Sequence, residues 1–276
     1  MRTIFCVLLV TVSGALAGAA LAETATLTLS FGKDARSYTA QELLGRADVA
    51  TVTIPDDVSY GREMTYRAVP LLGLLGEDAD AEFDTMSARA TDGFVSQIPL
   101  QLVRGGGDGG SVAWIAIDDP KKPWPKLPGK DISAGPFYLV WAHPQRSGVT
   151  TEQWPFALAS LTGVESPAQR WPQMAVAADV AADSPVRRGQ DVFIKQCLPC
   201  HRMKGAGEGT IGPDLGQPMN PTQYMTETGL RALIRDPKSV RTWPEQQMQG
   251  FDATMLPEAD LDDLIAYLTY MAGTRR

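Results

Sequence analysis

Cys197-Leu198-Pro199-Cys200-His201 decides the reading of this 276-residue chain. Two thiols with two residues between them, followed at once by an imidazole, have the spacing that joins a porphyrin through its two vinyl groups. A short helical turn sets both sulfurs along one edge of the ring, and the imidazole, held by those two bonds, reaches the iron as an axial ligand. The stretch therefore predicts one covalently attached haem c, bound by Cys197, Cys200 and His201. Two other uses of paired thiols compete with it. A zinc site needs two further Cys or His ligands nearby, yet the chain's remaining Cys and His are Cys6 and His143. A thioredoxin-type redox pair needs a strand-helix-strand setting, which the flanking residues lack.

Working outward from the motif, the small and polar run 175–185, ending in Pro185, reads as a linker, and a helix is expected to begin soon after it. Arg188 to Gln196 puts Gly189 and Phe193 on one helical face just ahead of the thiols. Downstream, Pro257-Glu258-Ala259-Asp260 starts a helix with acidic residues in its first turn, followed by Leu261, Leu264, Ile265, Leu268 and Met271 at helical spacing. The two helices are expected to cross closely at Gly189, with Tyr267 at the contact.

Over these roughly 90 residues, 186–276, the chain resembles the class I c-type cytochromes. Gly212-Pro213-Asp214-Leu215 looks like that family's loop, and the resemblance implies that the Pro213 carbonyl receives the second ring nitrogen of His201 and fixes its tautomer. Met248, in Met248-Gln249-Gly250-Phe251, looks like the family's distal methionine. His201 and Met248 are thus the expected iron ligands, with Met255 the rival to Met248, and Gln249 departs from the proline usual after that methionine. A thioether ligand raises the reduction potential and closes the sixth position. Lys195, Arg202 and Lys204 flank the attachment site and suggest a positive collar, or ordinary surface charge. Arg241 and Trp243 are candidates for contact with a propionate, or plain packing.

The N-terminal part reads differently. Arg2, the apolar run from Ile4 to about Leu21 and the small residues before Glu23 have the form of a secretory signal over 1–22, with an uncleaved anchor as the alternative. Cleavage would remove Cys6, leave no thiol outside the motif, and place the protein in the periplasm without stable membrane insertion. Net charge is −7, and it is unevenly divided: residues 23–185 carry 13 basic and 21 acidic side chains, residues 186–276 carry 11 of each. That balance argues against nucleic acid and anionic lipid as partners and suits a basic protein surface or simple solubility.

Strands are expected at Ala25 to Leu29, Val49 to Ile54, Phe94 to Ile98, Ser111 to Ile117, Pro136 to Ala142 and Phe156 to Leu161, with short helices at Ser37 to Gly45 and Pro70 to Gly76. A mixed α+β domain over 23–174, followed by an all-α domain over 186–276, is the expected architecture. Tyr66 to Leu75, Ala90-Thr91-Asp92-Gly93-Phe94 with Ile98-Pro99-Leu100, and Gly135 to Val140 resemble the oxidoreductase molybdopterin-binding superfamily, the sulfite oxidase type of fold. Catalytic members hold molybdenum through a cysteine thiolate, and 23–174 contains none, so molybdopterin is not expected. His143, the glycine run Gly105 to Gly110 and the basic loop Lys121 to Lys126 read as surface features, with ligand or partner contact as the sharper alternative.

The expected function is one-electron transfer by a periplasmic carrier rather than catalysis, with the N-terminal domain docking it to a redox protein such as a dehydrogenase, an oxidase or another cytochrome. Two alternatives stand beside it: a molybdenum-dependent oxidoreductase with a built-in cytochrome outlet, and a haem that itself reacts, as peroxidase or gas sensor.

Overall fold

Two hydrophobic cores, one between sheets and one between helices, organise the computed structural model, which describes residues 25–32, 35–76 and 83–274. The proposed signal segment and Cys6 lie outside the described residues. The first core belongs to an α+β region. Its five-stranded sheet has the order β2-β1-β9-β5-β6, made of β1 (Thr26–Ser30), β2 (Ala35–Thr39), β5 (Thr85–Ala90), β6 (Val95–Pro99) and β9 (Leu158–Val164). A four-stranded sheet has the order β3-β4-β7-β8, made of β3 (Ala50–Asp57), β4 (Arg62–Pro70), β7 (Val112–Ile117) and β8 (Phe137–Ala142). Alternation explains the inward faces: Leu27 and Leu29 of β1, and Met64, Tyr66 and Ala68 of β4, point into the core at period two.

Two expected boundaries move, each for a local reason. The helix read from Ser37 is only α1 (Ala40–Leu44), because Thr39 caps it: the Thr39 hydroxyl accepts from Glu42 N–H, and the Glu42 carboxylate accepts from Thr39 N–H at 2.7 Å. The residues before the cap stay extended and pair with β1, Tyr38 opposite Leu27. The strand read from Phe156 starts at Leu158, since Ala157 has φ 48°, a turn conformation that cannot join a ladder. Strands β2, β4 and β5 were not anticipated. Helices α2 (Leu71–Leu75), α3 (Leu100–Arg104) and α4 (Pro167–Arg170) are short connectors between or after strands.

Asp57 anchors the first core. Fully buried, it accepts from Tyr66 Oη at 2.8 Å, Tyr138 Oη at 3.3 Å, and the backbone N–H groups of Ser59 and Tyr60 at 3.0 and 2.8 Å. Burial pushes its carboxyl above the usual carboxylate range, against the four hydrogen bonds. Asp57→Ala leaves four donors without this acceptor, and is expected to cost about 2 kcal/mol, read as a lowered urea midpoint at unchanged slope.

The second core is helical: α5 (Pro185–Val192), α6 (Glu227–Arg235), α7 (Pro237–Val240) and α8 (Glu258–Gly273). Helices α5 and α8 cross at Gly189, where a Cβ would overlap the Asp263 carbonyl and lie 2.8 Å from the Tyr267 Cβ. Beside the crossing Phe193 and Tyr267 meet with ring centroids 5.4 Å apart, and Arg188 forks onto Asp263 at 2.6 and 2.8 Å. The crossing and the Tyr267 contact are both as expected.

The segment read as a linker is pinned to these helices. Met174 and Val176 are buried in the second core, Tyr267 Oη donates to the Met174 carbonyl at 2.8 Å, and Arg187 donates to the Val180 and Ala177 carbonyls at 2.8 and 2.7 Å. Among the described residues, no helix is long and apolar enough to cross a membrane.

Candidate functional site

Helix α5 does not stop at Val192 but widens into a π-helical turn, Phe193–Cys197, in which Leu198 N–H donates to the Phe193 carbonyl at 2.9 Å. The next turn closes on itself, the Cys197 carbonyl accepting from both Cys200 N–H at 3.2 Å and His201 N–H at 2.9 Å. The two thiols and the imidazole therefore project from one compact turn, anchored from behind by Phe193 and Leu198 in the core. Both thiols are free and half-buried. Burial pushes each of them up to about 12, with the negative charge of Glu152 the next contribution at both. A redox-active Cys pair needs the opposite shift.

His201 Nδ1 lies 2.8 Å from the Pro213 carbonyl oxygen. A carbonyl only accepts, so Nδ1 carries the proton and Nε2 keeps its lone pair. Burial holds the imidazole below its ordinary value, opposed by the Pro213 bond, which keeps it neutral and able to ligate a metal. The loop that delivers Pro213 is shaped by glycine. Gly212 N–H donates to the Cys200 carbonyl at 2.8 Å, and its α-carbon faces the imidazole so closely that a Cβ would overlap the ring.

Asp214, which sequence reasoning quoted without a role, ties the loop shut. Its carboxylate accepts from the N–H groups of Lys204, Gly205 and Gly216 at 2.9, 2.6 and 2.7 Å. Lys204 needs that support, since it sits at φ 53°.

Met248 lies half-buried in the irregular segment between α7 and α8, which is attached by Phe251 N–H donating to the Ile234 carbonyl at 3.0 Å. Close approach of Gly250 to the Arg235 backbone holds the same segment. Met255 is also half-buried; its carbonyl accepts from Gln196 Nε2 at 3.0 Å, and Leu256 beside it is buried in the second core. Buried side-chain polar atoms without a protein partner include Gln246 Nε2 and Oε1, two residues before Met248, and Asn220 Nδ2. Such atoms are costly unless a bound group completes them.

Of the expected collar, Lys195 is exposed, whereas Lys204 Nζ donates to Thr274 Oγ1 at 2.7 Å and Arg202 Nε to the Gly209 carbonyl at 3.1 Å. Trp243 is 38% exposed and carries the Arg241 guanidinium 4.7 Å from its ring centroid.

The α+β region packs directly on the attachment turn, a contact no sequence signal announced. Val95 N–H, on the outer side of edge strand β6, donates to the Pro199 carbonyl at 3.0 Å, and Thr210 N–H donates to the Gly93 carbonyl at 3.3 Å. Beside them Glu208 is gripped from four sides. It pairs with Arg89 at 2.9 Å and Arg170 at 3.1 Å, and accepts from Ser87 Oγ at 3.2 Å and Gln97 Nε2 at 3.3 Å.

Among known protein families, residues 186–272 match the model described as cytochrome c. No curated protein matches the chain significantly.

Proposed function

From the cytochrome c domain that residues 186–272 form, and the covalently bound haem c such a domain implies, we propose a periplasmic one-electron carrier with His201 and Met248 on the iron. The observation that carries the ligand reading is the 2.8 Å bond from His201 Nδ1–H to the Pro213 carbonyl, made on the same turn as the two thiols. It leaves Nε2 free and aims it. The residues present fit the group: Cys197 and Cys200 to hold it covalently, His201 to ligate it, and the unpaired amide of Gln246, two residues before Met248, to meet a polar substituent. When bound, haem supplies an iron that changes between ferric and ferrous states one electron at a time.

The chain's own part is positional. The Pro213 bond fixes the imidazole tautomer, so no proton needs to move at Nδ1 with each electron. Burial of Phe193, Leu198 and Met203 excludes water behind the attachment turn. The N-terminal domain, which resembles the sulfite oxidase type and lacks its metal-binding thiolate, serves in this reading to present the cytochrome domain to a redox protein, whether dehydrogenase, oxidase or another cytochrome.

Elemental analysis of protein from a haem-maturing host tests the proposal. One iron, no molybdenum and a low-spin spectrum are expected; stoichiometric molybdenum would turn the chain into an oxidoreductase with an electron outlet. Ferrous wild-type protein is expected to resist carbon monoxide at neutral pH, and Met248→Ala to bind it readily. Binding by the wild type would favour the reactive-haem reading, and resistance by Met248→Ala would move the ligand assignment to Met255.

A further inference from the structure

We infer that the N-terminal domain sets the potential of the cytochrome domain, through the carboxylate of Glu152, carried on a turn that packs against the segment Phe193–Cys197 leading into the haem-attachment motif. The inference rests on the haem reading above, and makes Glu152 a positioning residue acting through the cofactor.

The segment that carries Glu152 is tied down by hydrogen bonds. Thr151–Gln153 is a single turn closed by a capping box, with Thr150 N–H donating to Gln153 Oε1 at 2.9 Å. The wholly buried Trp141 donates from Nε1 to the Gln153 carbonyl at 2.9 Å, so the turn is bolted to strand β8.

This turn packs on β6 and on Phe193–Cys197. Its placement is enforced at a distance by the grip of Arg89, Arg170, Ser87 and Gln97 on Glu208, and by the two backbone bonds of β6 and Gly93 to the attachment region. The N-terminal domain therefore cannot drift away from the cysteines without breaking several ionic and backbone contacts.

The Glu152 charge adds to burial in pushing up both thiols. The other charges felt at Cys200 are Asp92, on the turn before β6, and the oppositely charged Lys130, which stacks on Phe156 with its Nζ 4.6 Å from the ring centroid. Lys195 lies on the attachment turn itself and is exposed, and β6 contributes no titratable side chain. Burial raises the Glu152 carboxyl to about 7. It is therefore an anion at pH 9 and neutral at pH 5.

The physical consequence has a fixed sign. One electron accepted from a donor protein, or from a chemical mediator in the test, makes the attachment edge one unit more negative while no bond forms or breaks. A carboxylate already there opposes that electron and lowers the potential. Where the carboxyl is near its midpoint, the electron draws a proton from solvent onto Glu152, so the potential falls as pH rises.

The test is the midpoint potential of the holoprotein, followed optically in the presence of mediators at pH 5 and pH 9, for wild type, Glu152→Gln and Glu208→Arg. At pH 9 Glu152→Gln is expected to bind its electron about tenfold more tightly, a rise of about 59 mV for a one-electron couple; at pH 5 it should match wild type. Glu208→Arg, which sets like charges against Arg89 and Arg170 and undocks the domain, is expected to give a rise of the same sign at pH 9 and to add little to Glu152→Gln.

An unchanged potential in Glu152→Gln at pH 9, or an equal shift at both pH values, overturns the inference. Should Glu152→Gln yield no holoprotein, the comparison of wild type with Glu208→Arg decides in its place: loss of the pH dependence supports the inference, and its persistence sinks it. Failure of the haem reading would show separately, as a wild type with no reversible haem spectrum.

Discussion

With haem held as proposed, Gly212→Ala is expected to strip His201 of its ligating geometry and with it the low-spin spectrum expected of the protein. A Cβ at position 212 would stand 2.8 Å from Nε2 of His201 and closer still to Nδ1 and Cε1. Neither partner can yield cheaply. The imidazole is tied to the Pro213 carbonyl on one side, and the residue 212 backbone is tied to the Cys200 carbonyl on the other. Turning the ring to make room breaks the bond that fixes its tautomer, and shifting the loop breaks the three N–H contacts that converge on Asp214. The proposed thioether bonds to Cys197 and Cys200 would not be touched. The expected variant therefore retains covalent haem after denaturation, shows a high-spin ferric spectrum when native, and loses at least tenfold in electron-transfer rate. A wild-type spectrum from Gly212→Ala would mean that the loop is softer than its hydrogen bonds suggest.

Gly189→Ala should be more damaging to the fold itself. The added methyl would overlap the Asp263 carbonyl oxygen across the α5–α8 crossing, with the Tyr267 Cβ close behind. Overpacking usually costs about 1–3 kcal/mol because a side chain can rotate away. A backbone carbonyl inside a helix has no such escape, so about 3 kcal/mol or more is expected, a large share of the stability of a domain this size. Separating the helices also unstacks Phe193 from Tyr267 and pulls at the Tyr267 hydroxyl bond to the Met174 carbonyl. Near-ultraviolet circular dichroism and thermal melting of the holoprotein check this. A fall of less than about 4 °C would show that the helices re-seat without loss.

Legibility in the sequence followed how local each signal was. The attachment turn, the Gly189 crossing and the terminal helix could be read because each rests on spacing within a few residues: thiols three apart, Gly189 four before Phe193, and Leu261 to Met271 at helical period. The Pro213 contact was reached through family resemblance, and its geometry is as expected. Strands β1 and β3 were visible by alternation, and β6 to β9 as runs between turn residues. Strand β5 was not, because Thr85 to Ala90 is almost wholly buried and offers no period of two. The thiol turn's closest neighbours were hidden for another reason. Arg89 and Gln97 reach Glu208 across 119 and 111 residues of folded chain, and Arg170 reaches it from before the linker, and nothing within any one of those segments marks it as an interface. Glu152 was equally silent, one acid among 21 in its part of the chain.

The bond from Val95 N–H to the Pro199 carbonyl has a bearing on how such a chain avoids strand pairing with other copies while it folds. Strand β6 is the outer strand of its sheet, and an open strand margin offers unpaired backbone donors to any other copy that meets it. Here the haem-binding half caps that margin with its own backbone. Each half then protects the other: the N-terminal sheet shelters the attachment turn, and the attachment turn blocks strand-to-strand recruitment between molecules. A gene that separated the two halves would release an adhesive edge on one product and leave Glu208 without its two arginine partners on the other.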